Sequence, residues 1–375
     1  MKILHLIDFF DARYERDQIK LIEYLEKKGY HNTVIASDVS SDWKKVGKKE
    51  FATWEKRFKE TEILHEPTFR IPNPFSKGFL PIYLPSQKIL HDFDIIHAYT
   101  FGTYSSILGA ILKRTKKSGL VIRSDLSPTS YHKTTKKSLY RVMVMYPFYV
   151  ADAVYVYSKI EKQFLNSLNI SHNKIFVIPP GIDFGKFSKI QILPRRNHLT
   201  IGYLGRFCFV KGVHRLIPVL SKLLQEENKV KIVFTGIIEN VEYAIEVLKT
   251  LGKFKKFQYI GSLSTSPINF FSICDVILIP SLTETGAITV LEAMASGKVV
   301  IASNINPINT YIQHEYDGFL FNSELEAYAY IKKLLQNPDL IREIGKNARK
   351  KAEHYDWQFI ITKYEEMYRK VLSGL

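Results

Sequence analysis

The sequence predicts an α/β protein of two doubly wound lobes, each a parallel sheet with helices on both faces. Three observations point there. The chain has 375 residues, long for one hydrophobic core and comfortable for two. Short apolar runs alternate with stretches of helical period, the pattern of strands buried on both sides. One run, DFGKFSKIQILPRRNHL, interrupts the alternation and reads as a connector, after which the pattern restarts more cleanly.

The first lobe opens with a strand at 2–7. A helix follows at 15–28, with Ile19, Ile22 and Leu25 at helical spacing and Gly29 closing it. TVIAS is the next strand. Residues 40–90 give no clear pattern: a basic-aromatic stretch precedes a proline-bearing loop. Then come strand DIIHAY, a helix at 103–114, strand LVIRS, a basic helix, strand DAVYVYS, a helix near 159–168, strand KIFVIPP and the turn GIDFGKF. In the second lobe LTIGYLGRF, VKIVFTG, KFQYIG, DVILIPS and KVVIASN are strands. The intervening segments, GVHRLIPVLSKLLQEE among them, are helices. The chain ends in three helices. The predicted division is 1–185, 190–355 and a last helix, 356–375, that crosses back onto the first lobe. Ligands of such sheets bind beyond the carboxyl ends of the strands, so two facing lobes would make a central cleft.

Composition narrows the function classes. Cys208 and Cys274 sit in apolar surroundings and read as buried thiols, which suits a reducing, cytoplasmic compartment. The N-terminus reads as a strand, not a signal peptide. No apolar stretch approaches the roughly 18 residues that span a bilayer. Net charge is +16, and residues 105–150 carry nine basic residues against one acid, Asp125. Such a surface is either simply solvated or attracted to an anionic partner. Lys133, Lys136, Lys137 and Arg141 are interleaved with Tyr, Met, Val and Phe, which suits a helix lying in a membrane interface and no nucleic-acid partner. Tyr and Phe are abundant but form no base-stacking signature. His5, His97 and His214 read as structural.

Three segments at strand ends could carry chemistry. Gly205-Arg206-Phe207 followed by Lys211-Gly212 offers close backbone approach, a planar cation and a mobile one, just before a helix N-terminus. The segment IPSLTETGAITVLEAMASGKVVIAS places Glu284 in a loop and Glu292 two turns into a helix. The amides of Thr285, Gly286, Ala287 and Ile288 would face an anion. Glu284 could accept sugar hydroxyls, and Glu292 a vicinal diol such as a ribose presents. Each segment also has a plain reading, as an exposed loop or a helix-dipole acid. The third segment, VIPPGIDFGKF, doubles as a lobe connector.

The full stretches IGYLGRFCFVKGVHRLI, YIGSLSTSPINFFSICDVILIPSLTETGAITVLEAMASGKVVIASN and HEYDGFLF resemble retaining glycosyltransferases of the GT-B fold, glycosyltransferase family 4 (group 1). So does the tail NPDLIREIGKNARKKAEHYDWQFIITKYEEMY. The likeness covers most of 198–370. MKILHLID, LIEYLEKKGYHNTVIAS, FDIIHAY, ADAVYVYS and VIPPGIDFGKF extend it into the first lobe. The resemblance implies two Rossmann-like domains facing a cleft. It implies that Arg206 and Lys211 hold a donor diphosphate, with Gly205 beside them. It further implies that Glu284 lies near the reacting carbon, that Gly286 and neighbouring amides contact sugar or phosphate, and that Glu292 holds the ribose. The expected partners are a UDP- or GDP-sugar and a glycan or lipid-linked acceptor. No metal or other cofactor is expected.

Three departures stand out. Where many members carry a Gly-Gly pair after the first strand, this chain reads FFDARYERDQ. Where many carry a histidine, it offers Ser124, Asp125 and Leu126, so Asp125 takes that place as a catalytic candidate. Where many read Glu-x-x-Gly, it reads Glu284-Thr-Gly286. The alternatives are a nucleotide-sugar-binding subunit without turnover, and a sugar-nucleotide epimerase on the same fold.

Overall fold

The computed structural model describes residues 1–13, 17–40, 44–72, 79–100, 102–126, 138–191, 198–263 and 267–374. It contains two compact units, Met1–Pro179 with Ile360–Leu375, and Pro180–Phe359.

The first unit runs β1 (Lys2–Ile7), α1 (Asp17–Lys27), β2 (His31–Ser37), α2 (Lys48–Trp54), β3 (Glu62–Glu66), β4 (Thr68–Pro72), β5 (Phe79–Tyr83), β6 (Ile95–Ala98), α3 (Tyr104–Thr115), β7 (Gly119–Arg123), α4 (Ser138–Val150), β8 (Ala153–Val156), α5 (Lys159–Ser167) and β9 (Ile175–Val177). Its main sheet has the order β3-β2-β1-β6-β7-β8-β9, with every pair parallel. The region 40–90 supplies α2, the edge strand β3 and an antiparallel hairpin, β4–β5.

Alternate residues of these strands feed opposite faces. Leu4, Leu6, Ile96, Ala98, Leu120 and Ile122 enter a dry core with α3 and α4. The other face mixes buried apolar residues, Ile3, Ile95 and Val121, with buried polar groups. His5 Nδ1 meets the Tyr99 hydroxyl at 3.1 Å, and His97 Nδ1 meets the Tyr368 hydroxyl at 2.7 Å. Burial pushes His5 down to about 4 and His97 well below the ordinary imidazole range. Both are thus neutral, hydrogen-bonded core residues, in agreement with the sequence reading.

The second unit runs α6 (Phe184–Phe187), β10 (Leu199–Leu204), α7 (Val213–Glu226), β11 (Val230–Thr235), α8 (Val241–Leu251), β12 (Phe257–Tyr259), α9 (Ile268–Ile273), β13 (Val276–Ile279), α10 (Ile288–Ala295), β14 (Val299–Ser303), α11 (Ile308–Tyr311), β15 (Phe319–Phe321), α12 (Glu324–Gln336) and α13 (Pro338–Ala352). α14 (Trp357–Leu372) starts here and passes to the first unit at Ile360. The sheet order is β12-β11-β10-β13-β14-β15, again parallel. Ile201, Ile232, Leu278 and Ile301 pack into one core, and Val233, Ile277, Ile279 and Val300 into the other. Burial on both faces is why these strands read as unbroken apolar runs. The division falls at Pro179–Pro180, because Ile182, Phe187 and Ile190 are buried in the second unit's core. Gly181 is needed there: a Cβ would lie 2.5 Å from the Trp357 ring. Cys208 and Cys274 are buried, and neither forms a disulfide.

Candidate functional site

In each sheet the strand order reverses once, between β1 and β6 in the first unit and between β10 and β13 in the second. Such a switch point opens a crevice at the carboxyl ends of the strands. The two crevices differ electrostatically.

In the first unit the helix that follows β6 is capped from within. Asp8, just past β1, accepts from the Ser105 amide at 3.0 Å and from the Ser105 hydroxyl. An acid of the chain itself already satisfies the positive end of α3. Burial pushes the Asp8 carboxyl up to about 6, against the lowering effect of those donors. Beyond it, Asp11 receives Arg13 through two hydrogen bonds, at 2.9 and 2.7 Å. In this glycine-free stretch Asp11 and Arg13 thus form an ion pair with one another.

In the second unit the equivalent helix, α10, is uncapped. Its first-turn flank, Ala287, makes no side-chain cap, and among the described residues the amides of Thr285, Gly286, Ala287 and Ile288 donate to no backbone acceptor. This is a place built for an anion. Ala287 takes the left-handed conformation, φ 48° and ψ 40°. It stands three places after Glu284, so the residue that needs left-handed backbone is Ala287 and not Gly286.

The loop after β10 and the loop after β13 are fastened to one another. The Leu282 amide donates to the Val210 carbonyl at 2.9 Å. Gly212 is left-handed (φ +67°), and a Cβ there would strike the Pro280 carbonyl. That close approach brings Lys211 to Glu284, with Nζ 2.6 Å from Oε1 and side chains 20% and 11% exposed. The Ser281 hydroxyl donates to the same oxygen at 2.7 Å. Arg206 is exposed and paired with Glu239, while its carbonyl accepts from the Tyr203 hydroxyl at 2.8 Å. A Cβ on Gly205 would lie 2.8 Å from that hydroxyl, and one on Gly236 would strike the Gly205 carbonyl. Glu292 lies on α10, part-buried.

The structure thus gathers Gly205, Arg206, Lys211, Glu284, Thr285, Gly286, Ala287 and Ile288 at one switch point, with Glu292 on the helix that starts there. Asp125 belongs to the first unit, two residues past β7 and half-buried. Beside it Arg123 lies 4.4 Å from the centroid of the Tyr157 ring, and the Tyr157 hydroxyl donates to Asp17. Ser281, Glu239 and Gly236 were missed by sequence reasoning. Only Gly236, a glycine at a strand end, left a signal there. His214 Nδ1 meets the Tyr243 hydroxyl at 3.0 Å, a structural contact. The sequence also holds an Asp-x-Asp run, Asp92-Phe93-Asp94. It lies at the amino end of β6, the end of the first sheet opposite its own crevice, and Asp94 accepts from the Lys2 amide at 2.7 Å. Lys133, Lys136 and Lys137 lie outside the described residues.

Two family models together match residues 16–351: Glycosyltransferase Family 4 over 16–186 and Glycosyl transferases group 1 over 186–351. A glycosyltransferase of Methanocaldococcus jannaschii is 23% identical over 74% of this chain and 75% of its own length. The UDP-Gal:alpha-D-GlcNAc-diphosphoundecaprenol alpha-1,3-galactosyltransferase of Escherichia coli is 25% identical over 73% of this chain and 74% of its own. The chain spans about half the length of the archaeal trehalose synthases it also matches (54%). In fold, the HepE protein of Anabaena, solved with UDP-glucose, superposes with TM-score 0.74 at 20% identity over 100% of both chains. With both halves matched and the fold shared, the chain belongs to glycosyltransferase family 4 (group 1) and has the GT-B fold.

Proposed function

We propose that this glycosyltransferase moves a hexose-type sugar from a UDP- or GDP-linked donor, with retention of configuration and without a bound metal, to a glycan or lipid-linked glycan. The carrying observation is the uncapped N-terminus of α10 beside the Lys211–Glu284 pair, with Arg206 at the neighbouring strand end, where the corresponding helix of the first unit is already capped by Asp8. In this reading the diphosphate lies against those amides and cations. The bond from the anomeric carbon to the phosphate oxygen breaks, and its electron pair leaves with the diphosphate. The cations and the helix end stabilise that charge, and a single preorganised donor of this kind contributes roughly 3 kcal/mol. The new bond forms from the acceptor oxygen to the anomeric carbon on the same face, and the acceptor hydroxyl's proton passes to the departing diphosphate oxygen.

Glu284 is held by two donors on Oε1, which directs Oε2 to the sugar hydroxyls. Glu292 takes the ribose diol. Asp125 stands where a histidine is common in the family and orients a hydroxyl of sugar or acceptor. The lipid-linked acceptor is supported by the galactosyltransferase named above, and the UDP donor by HepE.

A thermal-shift screen against UDP, GDP, ADP and their sugars tests the donor. A ligand at about 100 times its Kd adds about 2.7 kcal/mol. No shift with any nucleotide would remove the reading. Transfer that survives EDTA is the expected result for the metal. A second reading, a nucleotide-sugar-binding subunit without turnover, draws on the glycine-free stretch after β1, in which Asp11 and Arg13 pair with one another. Donor binding with neither hydrolysis nor transfer, in wild type as in Asp125→Ala, would favour it.

A further inference from the structure

Both cations of the second unit's crevice already carry an acid of this chain. Lys211 bonds Glu284, whose other oxygen has a place in the proposed reaction. Arg206 bonds Glu239, which has none. In the two loops concerned, 205–212 and 236–240, Arg206 and Lys211 are the only basic residues and Glu239 is the only acid.

The backbone sets Glu239 opposite Arg206. The Gly205 amide donates to the Thr235 carbonyl at 3.1 Å. The Phe207 amide donates to the Ile237 carbonyl at 2.8 Å, and the Phe207 carbonyl accepts from the Asn240 amide at 3.0 Å. Phe207 is fully buried. Asn240 is fixed in turn as the N-cap of α8, its side chain accepting from the Tyr243 amide at 2.9 Å. The place from which Glu239 projects is therefore dictated by the fold and not by the ion pair.

The pair itself is of a kind that exchanges. One guanidinium nitrogen, Nη1, meets one carboxylate oxygen, Oε2, and the side chains are 51% and 46% exposed. An acid that fastens an arginine looks different in this molecule: Asp11 is wholly buried and takes Nε and Nη2 of Arg13 on its two oxygens. An exposed, one-point pair contributes little and yields to a better anion. A diphosphate brings more charge and can offer a planar guanidinium two acceptors at once.

Resting on the donor site proposed above, we infer that Glu239 is an internal competitor for the diphosphate, occupying Arg206 in the empty crevice and displaced when the nucleotide arrives. It thereby limits how tightly the crevice holds the donor and the nucleoside diphosphate released from it. A residue that merely oriented Arg206 would act in the opposite direction, so the sign of its effect on binding separates the two roles.

The test is calorimetric titration of the full chain with UDP and with GDP at low salt. Arg206→Ala weakens whichever nucleotide binds. Glu239→Gln tightens it by about two- to fivefold, and the gain shrinks as added salt screens the charges. In the Arg206→Ala background the gain from Glu239→Gln is lost, because the two residues act as one pair. An unchanged or weaker Kd in Glu239→Gln, with Arg206→Ala weakened as expected, overturns the inference and leaves the donor site standing. An equal gain with and without Arg206 overturns it too, since loss of any neighbouring negative charge would then suffice. The donor site itself falls if neither wild type nor Glu239→Gln binds either nucleotide, and Arg206 leaves it if Arg206→Ala binds as wild type does. In both cases Glu239 has nothing to compete with.

Discussion

Ala287, at the proposed donor site, is held in strained, left-handed backbone. A left-handed alanine costs roughly 1 kcal/mol, and such strain persists where surrounding structure imposes it. Glycine would relax it and lose part of the gain through a freer unfolded chain. Ala287→Gly should therefore hold or raise the thermal midpoint by a few tenths of a kcal/mol while keeping nucleotide affinity. A collapse of affinity would show that the alanine methyl, not the backbone turn, contacts the donor. Lys211 and Glu284 make a sharper case. Each is the other's partner in the free protein, so removing either leaves the other part-buried and uncompensated. Lys211→Ala and Glu284→Ala should each cut turnover by about 100-fold. They should divide on binding: Lys211→Ala weakens nucleotide diphosphate itself, whereas Glu284→Ala spares UDP and impairs the sugar. Glu292→Ala should raise KM more than it lowers kcat. Near-normal turnover in Glu284→Ala would dissolve the site assignment.

At the scale of elements, β1 and the residue just past it carry two titrating groups with opposite consequences. The ordinary value of Asp8 is 3.8 and its folded value about 6, so the stability it contributes is present below pH 3.8 and lost as pH rises through 6. At neutral pH this amounts to roughly 3 kcal/mol. His5 runs the other way. Its folded value is about 4 against 6.5, so its contribution is present above 6.5 and lost as pH falls to 4. The slopes oppose one another in the shared window. Asp8→Asn removes one of them, since the asparagine carbonyl can still accept from the Ser105 amide. Urea midpoints should then rise relative to wild type at neutral pH and fall more steeply on acidification; parallel curves would show that Asp8 is not the buried acid. This capping pair also marks the limit of sequence reading. The strands of both sheets were legible because burial on two faces leaves Val, Ile and Leu runs, as in β11 and β13. β3 was not, being an edge strand of uniformly half-buried residues, nor was β15, only three residues long. Lys211 and Glu284 were each legible as strand-end candidates. Their contact was not, because it spans 73 positions and depends on β10 and β13 being neighbours.

At the scale of the whole molecule, the chain closes its first unit last. Residues from Ile360 onward return to the mixed face of the first sheet, where Tyr368 bonds His97 and Tyr364 lies 5.1 Å from Tyr155, ring to ring. Gly119, at the start of β7, leaves room for Val371, which a Cβ there would strike. The unit holding the proposed donor crevice makes none of these contacts and is one continuous segment, Pro180–Phe359. Ligand energy and tail energy should therefore act on different parts of the protein. Tyr368→Phe leaves the buried His97 nitrogen without its partner and should cost about 1 to 3 kcal/mol. Gly119→Ala should cost a similar amount, of order 1 to 3 kcal/mol, by displacing Val371. Hydrogen exchange read by peptide separates the units. Both variants should speed exchange in β1, β6 and β7 and leave β10, β13 and β14 unchanged. Saturating nucleotide should slow exchange in β10, β13 and α10 by the same factor in variant and wild type, because contributions from distant sites add. If the tail variants instead loosened β13, or halved the protection that nucleotide confers there, the two units would share one folding energy and the donor site would depend on how α14 is seated.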